Sequence, residues 1–373
     1  MLYIHIPFCK SRCIYCNFFS SVILADKKLY ISALCKEIEQ RSNYLPSKKL
    51  SSVYFGGGTP SLLNLNELEQ IFEIICKYFE ISPQTEITLE CNPDDLNINF
   101  LQNLKYFPIN RISVGIQSFN DSELIFLKRR HTAKQAKDSI KNLQDVGFDN
   151  ISIDLIYSLP NQTQENWQKT LNEALSIDIQ HISAYSLTYE KHTKLNSLSY
   201  EKKITPLKDE QSLLYFNILR EKLLENGFLH YEISNFCLPN RQSKHNSGYW
   251  NGKKYLGVGA SAHSYNGVSR QWNVANIEKY CEGIFSNKKI FQKEILSITD
   301  KYNEFIFLSL RTNRGINLQK LKNKFGQNAF DYCLKNANKY LKTNLLEIKN
   351  DFLKITPHGI FLSDGIMSDL FKM

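Results

Sequence analysis

Three cysteines near the start of the chain have the type and spacing that point most clearly to chemistry. Cys9, Cys13 and Cys16 form a C-x3-C-x2-C pattern. Three thiolates in one loop can hold three corners of a four-iron, four-sulfur (4Fe-4S) cluster. Four thiolate ligands close such a cluster, whereas three leave one iron free to bind a small molecule, as in catalytic metal sites. The spacing therefore predicts a redox enzyme, or a protein descended from one.

Other roles for these thiols are weaker. A zinc site needs a fourth ligand, for which His5 is the nearby candidate, and the chain has no second C-x-x-C pair. Nine cysteines is an odd count and no export signal is visible, which disfavours disulfides. We rank the cluster above zinc, and zinc above chance. The cysteines that occur singly in apolar segments are expected to be buried and inert: Cys35, Cys76, Cys281 and Cys333.

Length and composition indicate a two-domain protein of the cytoplasm. The chain has 373 residues, of which 42% are hydrophobic, and a net charge of 46 − 37 = +9. The first residues lack the basic region of a signal peptide, and no apolar run is long enough to span a membrane. The charge is spread along the chain, so it fits a lysine-rich surface or attraction to anions without selecting a partner.

Alternating strands and helices up to residue 237 predict a parallel sheet covered by helices. Six such units fit an incomplete, TIM-like (β/α)6 barrel of the α/β class. The helix candidates are Leu65–Phe79, Ala133–Val146, Gln164–Leu175 and Glu210–Asn226. The strand candidates are Leu2–Ile6, Ser52–Phe55, Glu86–Glu90, Arg111–Gln117, Ile151–Tyr157 and His181–Leu187, with Tyr231–Phe236 as a seventh.

After residue 237 the residue composition and the pattern of predicted elements change. We expect a barrel over residues 1–237, a connecting segment over 238–298 and a small C-terminal domain over 299–373. Residues 238–275 are rich in Asn, Gly, Ser, Tyr and Trp and are expected to form loops. In the last domain, helices near 300–311, 317–324 and 327–342, a hairpin over 345–355 and a final helix predict a winged-helix-like α+β module.

Polar residues recur where the predicted strands end, which is where β/α barrels carry their working side chains. A glycine-rich run from Gly56 to Pro60 follows the second strand, and Glu90 and Gln117 end the next two. Asp154 lies inside an apolar strand, where an acid needs a partner or a ligand. Arg129 is a candidate partner for a carboxylate. Together these residues predict one site at the barrel mouth.

At this point the chain resembles radical S-adenosylmethionine (SAM) enzymes. It is most similar to the oxygen-independent coproporphyrinogen III oxidase group and, within it, to the HemW haem chaperones. The motifs that carry the resemblance are His5-Ile-Pro-Phe-Cys9, Gly56-Gly-Gly-Thr-Pro-Ser61, Glu90-Cys-Asn-Pro93, Gly115-Ile-Gln-Ser-Phe119, Ile153-Asp-Leu-Ile-Tyr157 and His245-Asn-Ser-Gly-Tyr-Trp250.

The resemblance implies that S-adenosylmethionine binds the open iron and is cleaved by an electron from the reduced cluster. It implies that Tyr15 and Phe18 flank the cluster. It places the nucleotide site at eight positions: Tyr3, Gly57, Gly58, Thr59, Glu90, Gln117, Arg129 and Asp154.

Two features separate the chaperone type from the oxidases. The oxidases carry a fourth cysteine where this chain has Phe18, and they have a longer region before the cysteine loop, where only eight residues precede Cys9. The segment 245–263 adds imidazoles and aromatic rings that suit haem iron and porphyrin faces, although the residues alone favour a loop that packs under the barrel and anchors the C-terminal domain. The resemblance makes His245 a haem-ligand candidate, followed by His263, with Tyr249 and Trp250 beside it.

The leading hypothesis is a cytoplasmic haem chaperone, peripheral at the membrane when it delivers haem to respiratory haemoproteins. The cluster and S-adenosylmethionine would regulate transfer or homodimer formation. The alternative is an oxygen-independent coproporphyrinogen III oxidase, which decarboxylates propionate side chains, so whether the chain is an enzyme stays open. A third class, radical modification of RNA, is raised by the basic charge alone, and no nucleic-acid partner is expected.

Overall fold

The computed structural model describes residues 1–372, and a nine-stranded sheet forms its centre. The strands of this sheet are β1 (Leu2–Ile6), β2 (Ser52–Gly57), β3 (Glu86–Cys91), β4 (Arg111–Gln117), β5 (Ile151–Tyr157), β6 (His181–Ser186), β7 (Leu229–Glu232), β8 (Asn235–Cys237) and β9 (Leu256–Val258). Their order is β7-β8-β6-β5-β4-β3-β2-β1-β9, and β1 to β6 are parallel neighbours. The predicted incomplete barrel is therefore confirmed.

Helices between the strands cover the outside of the sheet. They are α1 (Lys27–Gln40), α2 (Leu65–Tyr78), α3 (Ile98–Leu104), α4 (Asp121–Phe126), α5 (Ala133–Asp145), α6 (Gln164–Ser176), α7 (Lys194–Tyr200) and α8 (Asp209–Glu225). Their ends follow from the sequence. The Asn64 and Thr132 side chains form capping boxes at α2 and α5. Gly147 and Gly227 follow α5 and α8 with φ of +82° and +81°, as helix-ending glycines do.

The expectation of a single strand over 231–236 is wrong. The chain reverses there, so β7 and β8 form an antiparallel pair at the edge of the sheet. The Glu232 carboxylate explains the reversal, because it accepts hydrogen bonds from the Ser234 N–H and the Asn235 side chain. The apolar and aromatic residues around Glu232 do not reveal this turn from the sequence, because the buried Glu232 carboxylate stabilises it through contacts made only in the folded chain.

The expectation of loops over 238–275 is also wrong. This segment contains α9 (Lys244–Trp250), the sheet strand β9, β10 (His263–Tyr265) and β11 (Ser269–Asn273). Strand β9 pairs in parallel with β1 and extends the barrel on its other side. Gly257 lies so close to the backbone of His263 that a Cβ would clash, so the glycine that resembles a loop residue is a packing requirement.

The remaining elements build a second sheet and the C-terminal unit. They are α10 (Ile277–Phe285), β12 (Phe291–Ile295), α11 (Ile298–Leu310), β13 (Ile316–Asn317), α12 (Leu318–Phe325), α13 (Gln327–Lys342), β14 (Leu346–Lys349), β15 (Phe352–Ile355) and α14 (Ser363–Asp369). Strands β10, β11 and β12 form the second sheet, and β13, β15 and β14 form a third. The three helices and the hairpin match the winged-helix-like prediction, and the C-terminal unit has its own apolar core.

A buried ion pair joins the C-terminal unit to the barrel. Arg311, at the end of α11, donates to the Glu232 carboxylate at 3.1 Å, and its guanidinium lies 4.6 Å from the centre of the Trp250 ring. The turn after β7, the end of α9 and the start of the C-terminal unit therefore meet at one point. Within residues 1–372, no helix combines the length and the apolar character needed to cross a membrane.

Candidate cluster and cofactor site

The cysteine loop follows β1 and is held over the barrel mouth by main-chain bonds. The Ser21 N–H donates to the Pro7 carbonyl at 2.6 Å, and the Cys9 N–H donates to the Ser21 carbonyl at 2.9 Å. Ile14 anchors the middle of the loop, because it is 5% exposed and packs in a small apolar cluster with Leu127. The three predicted cluster cysteines are partly exposed and line one cavity of about 450 Å³.

The donor chemistry around the thiols fits an iron–sulfur cluster. The Thr59 hydroxyl donates to Cys9 Sγ, and Arg129 Nη1 donates to Cys13 Sγ, each at 3.3 Å. Burial raises the pKa of Cys9 and Cys16, so iron would have to supply the charge that keeps them as thiolates. Among residues 1–372, no group of three His, Cys, Asp or Glu side chains is placed so that it could hold one metal ion.

Arg129 is fixed beside the cysteine loop by neutral partners. Its Nη2 donates to the Asn92 side chain at 2.7 Å and to the Gly115 carbonyl at 2.5 Å. Its Nε is buried and has no partner within residues 1–372. No ion pair within residues 1–372 joins Arg129 to a carboxylate. The carboxylate partner expected from the sequence is replaced by the Asn92 amide, the Gly115 carbonyl and the Cys13 thiol.

Two carboxyl groups, Glu90 and Asp154, form a carboxyl wall of the same cavity. Glu90 accepts a hydrogen bond from the Tyr54 hydroxyl at 2.6 Å and from the Gly57 N–H at 3.2 Å. Burial, followed by the nearby Asp154, raises the pKa of Glu90 to about 7. Burial likewise raises the pKa of Asp154 to about 6. This wall can therefore hold or release protons close to neutral pH.

The glycine loop and Gln117 complete this site through unusual backbone geometry. Gly57 has φ of +111°, and a Cβ there would lie 2.6 Å from the His5 ring, so both shape and conformation require glycine. Gln117 has φ of +74° beside an irregularity in the pairing of β4 with β5. Gly57, Gly58, Thr59 and Gln117 all line the same cavity as the cysteines.

A second cavity of about 900 Å³ lies next to the first. It is bounded by β1, β10, β11 and α11 and shares Asn17 and Phe18 with the cysteine cavity. Phe18 is 63% exposed, and Tyr15 lines only the cysteine cavity. Tyr3, expected at the nucleotide site, lines the second cavity instead and hydrogen-bonds the His5 ring at 3.0 Å.

The haem-ligand candidates divide between the wall of the second cavity and the protein interior. His263 is exposed on this wall, together with Tyr249 and Trp250. His245 is 1% exposed and lies behind the wall, where its Nδ1 bonds Ser52 Oγ at 2.9 Å and its Nε2 bonds the Tyr249 hydroxyl at 3.0 Å. Burial lowers the pKa of His245 to about 3, so its ring is neutral.

Comparisons with known proteins agree with this architecture. Residues 3–174 match the model of the Radical SAM superfamily, and residues 296–362 match the HemN C-terminal domain. The chain is 35% identical over 325 residues to the heme chaperone HemW of Lactococcus lactis, covering 87% of this chain and 84% of that protein. The chain belongs to the HemW family of radical SAM proteins. The resemblance stated from the sequence is confirmed.

Further HemW and HemN comparisons extend this result. The heme chaperone HemW of Bacillus subtilis is 34% identical over 329 residues, with 87% of this chain and 86% of the relative covered. The structure of coproporphyrinogen III oxidase (HemN) from Escherichia coli matches with a TM-score of 0.86 at 22% identity, over 100% of this chain and 89% of that chain. The HemN likeness shows that the barrel and the C-terminal unit share one fold with that protein.

Membership of the radical SAM superfamily implies a 4Fe-4S cluster and S-adenosylmethionine as cofactors. Sequence reasoning missed several residues of these sites. Arg111 and Thr88 line the cysteine cavity, and the buried Thr88 hydroxyl has no hydrogen-bond partner among residues 1–372. Arg270 and Glu304 line the second cavity. The alternation of β3 and β4 could have revealed the first two, whereas Arg270 lay in a segment taken for a loop.

Proposed function

We propose that this chain binds haem as cargo in the second cavity and delivers it to acceptor haemoproteins. Two independent supports meet in this proposal. The relatives that cover most of the chain are named heme chaperones. The cavity, at about 900 Å³, falls within the usual size range of cofactor sites.

The observation that carries the proposal is the chemistry of the cavity wall. Haem needs flat apolar surfaces, a nitrogen ligand for its iron and cations for its propionates. Tyr249 and Trp250 supply aromatic surface, His263 supplies an accessible imidazole, and Lys253 and Arg270 supply positive charge. All three requirements are therefore met within one cavity.

Two imidazoles are candidates to ligate the haem iron, and they differ in the side-chain movement that each requires. His263 already lies on the cavity wall. His245 is separated from the cavity by Tyr249, so its Nε2 becomes available only when the Tyr249 hydroxyl turns away. Breaking one such hydrogen bond costs about 1 kcal/mol, which is small beside an iron–imidazole bond. Both residues therefore remain haem-ligand candidates, and substitution assigns the role.

The cysteine cavity would serve as the controlling site. Cys9, Cys13 and Cys16 would hold the cluster, and Gly57, Gly58, Thr59, Glu90, Gln117, Arg129 and Asp154 would surround S-adenosylmethionine. The reduced cluster supplies an electron able to cleave S-adenosylmethionine when both are bound. Arg129 would keep Cys13 in place, and the carboxyl wall would accept hydrogen bonds from hydroxyl or ammonium groups. Asn17 and Phe18 line both cavities, so a ligand that moves these residues in one cavity would change the shape of the other.

The acceptors would be respiratory or other membrane-associated haemoproteins. Transfer would be made by a cytoplasmic protein that is peripheral at the membrane, and cofactor binding would regulate transfer or homodimer formation. These finer statements extend the haem-binding proposal and are tested separately from it, by following haem transfer to an isolated acceptor with and without S-adenosylmethionine.

One anaerobic experiment tests the proposal against the oxidase alternative. The cluster is reconstituted without oxygen, and one sample is divided between a haem titration and a coproporphyrinogen III assay with S-adenosylmethionine and a strong reductant. We expect a Soret shift on haem addition and no decarboxylated product. Product formation without a Soret shift would replace the haem-chaperone proposal by the oxidase.

A further inference from the structure

An ion pair crosses the second cavity between two parts of the chain. Arg270 on β11 contacts Glu304 on α11, with 2.7 Å between Nη2 and Oε1. Both residues line the cavity, and their side chains are 41% and 17% exposed. Arg270 belongs to the second sheet, whereas Glu304 belongs to the C-terminal unit. The pair therefore links two walls of the cavity through charge.

Arg270 retains the means to bind a further carboxylate. Its Nε is buried without a hydrogen-bond partner in residues 1–372, so the planar guanidinium has unused donor capacity. The Tyr265 ring lies 6.0 Å from the guanidinium carbon and limits where the side chain can go. An arginine held in this way suits bidentate binding of a carboxylate, which lysine cannot match.

Glu304 has a second cation within electrostatic range when it leaves Arg270. Lys324 on α12 is among the charges that act on Glu304. Lys324 therefore keeps some positive charge near Glu304 after Glu304 leaves Arg270, against the negative charges of Asp300 and Glu294. Loss of the Arg270 contact would also loosen the contact between the second sheet and the C-terminal unit.

We infer that Arg270 is the subsite for a carboxylate arm of the cargo and that Glu304 is an internal competitor for it. This inference rests on the proposed haem-binding function and deepens it, because it names the carboxylate as the recognised group. A propionate entering the cavity displaces Glu304 from Arg270, and Glu304 returns when the cargo leaves. The competitor lowers affinity, which suits a carrier that must give up its cargo.

The size of the effect follows from the exposure of the pair. Partly exposed ion pairs contribute up to about 1 kcal/mol, and about 1.4 kcal/mol changes an equilibrium constant tenfold. Removing the competitor should therefore tighten haem binding by up to about fivefold.

Glu304→Gln in the full chain makes the test, because it keeps the shape of the side chain and removes its charge. Glu347→Gln is the matched control: Glu347 is an exposed carboxylate on β14 of the same C-terminal unit, and it does not line the cavity. Haem and haem dimethyl ester, whose propionates are neutral, are titrated by Soret absorption against both variants, the wild type, Arg270→Gln and the double variant Arg270→Gln/Glu304→Gln.

We expect Glu304→Gln to bind haem several-fold more tightly than the wild type, and Glu347→Gln to bind like the wild type. The gain should vanish with the dimethyl ester and in the double variant. Equal tightening by the two glutamine variants, or a gain that persists with the ester, would overturn the inference while leaving haem binding intact. A wild type that binds no haem would instead remove the proposed function and this inference with it.

Discussion

Glu90 should make the stability of the protein fall as the pH rises from 5 to 8. The pKa of Glu90 is raised from 4.5 to about 7, chiefly by burial. The folded state therefore holds the proton more tightly than the unfolded state, and the stabilisation present below pH 4.5 is lost as the pH rises to about 7. The raised pKa of Asp154, at about 6, acts in the same direction.

The magnitude follows from the shift. One pKa unit corresponds to 1.36 kcal/mol, so the Glu90 shift is equivalent to roughly 3 kcal/mol between the two ends of this range. Glu90→Gln removes the titration and keeps an acceptor for the Tyr54 hydroxyl, but it loses the acceptor for the Gly57 N–H. The variant should be less stable than the wild type at pH 5 and should recover by roughly 2–3 kcal/mol relative to it at pH 8.

Equilibrium denaturation of the cluster-free protein at pH 5 and pH 8 measures this difference. Glu221→Gln, at an exposed position on α8, is the matched control and should change stability equally at both pH values. If Glu90→Gln also shifts the free energy of unfolding by the same amount at pH 5 and pH 8, the buried carboxyl site is described wrongly.

Three further predictions test other parts of the structure. Arg129→Lys should lower the iron content after anaerobic reconstitution, because it removes the fixed donor to Cys13; an unchanged iron content would contradict this. Tyr249→Phe removes the hydrogen bond to His245 and should tighten haem binding up to about fivefold if that imidazole ligates the iron, whereas an unchanged affinity would favour His263. Glu232→Gln should lower the free energy of unfolding by about 2 kcal/mol, because Arg311 loses its charged partner; calorimetry showing no loss would refute a role for the pair.

The parallel part of the fold was predictable because its signals are local. Strands such as Ile151–Tyr157 are nearly continuous apolar runs, and the helices between them carry capping residues and terminal glycines. The hairpin at 229–237 was not predictable, because Glu232 turns the chain through contacts that the apolar pattern does not reveal. Strand β9 was missed because its three residues include Gly257, which packing against the His263 backbone requires.

The candidate site divides in the same way. The cysteines, the strand-end residues Glu90 and Gln117, and Asp154 inside β5 could be assigned to one cavity from the sequence because each belongs to a recognisable strand or motif. The Arg270–Glu304 pair joins two elements far apart in sequence, so only the folded chain shows it. The position of His245 behind Tyr249 was also not predictable, because no sequence pattern indicates which of the two rings faces the cavity.

The central claim is that the cavity bounded by β10, β11 and α11 holds haem through an imidazole. A haem titration of the anaerobic, reconstituted chain, compared with the double variant His245→Ala/His263→Ala, tests it most directly. We predict a Soret shift and tight binding for the wild type, with binding strongly weakened in the double variant at a temperature where it is still folded and keeps its iron. A folded double variant that binds haem as tightly as the wild type would contradict the claim.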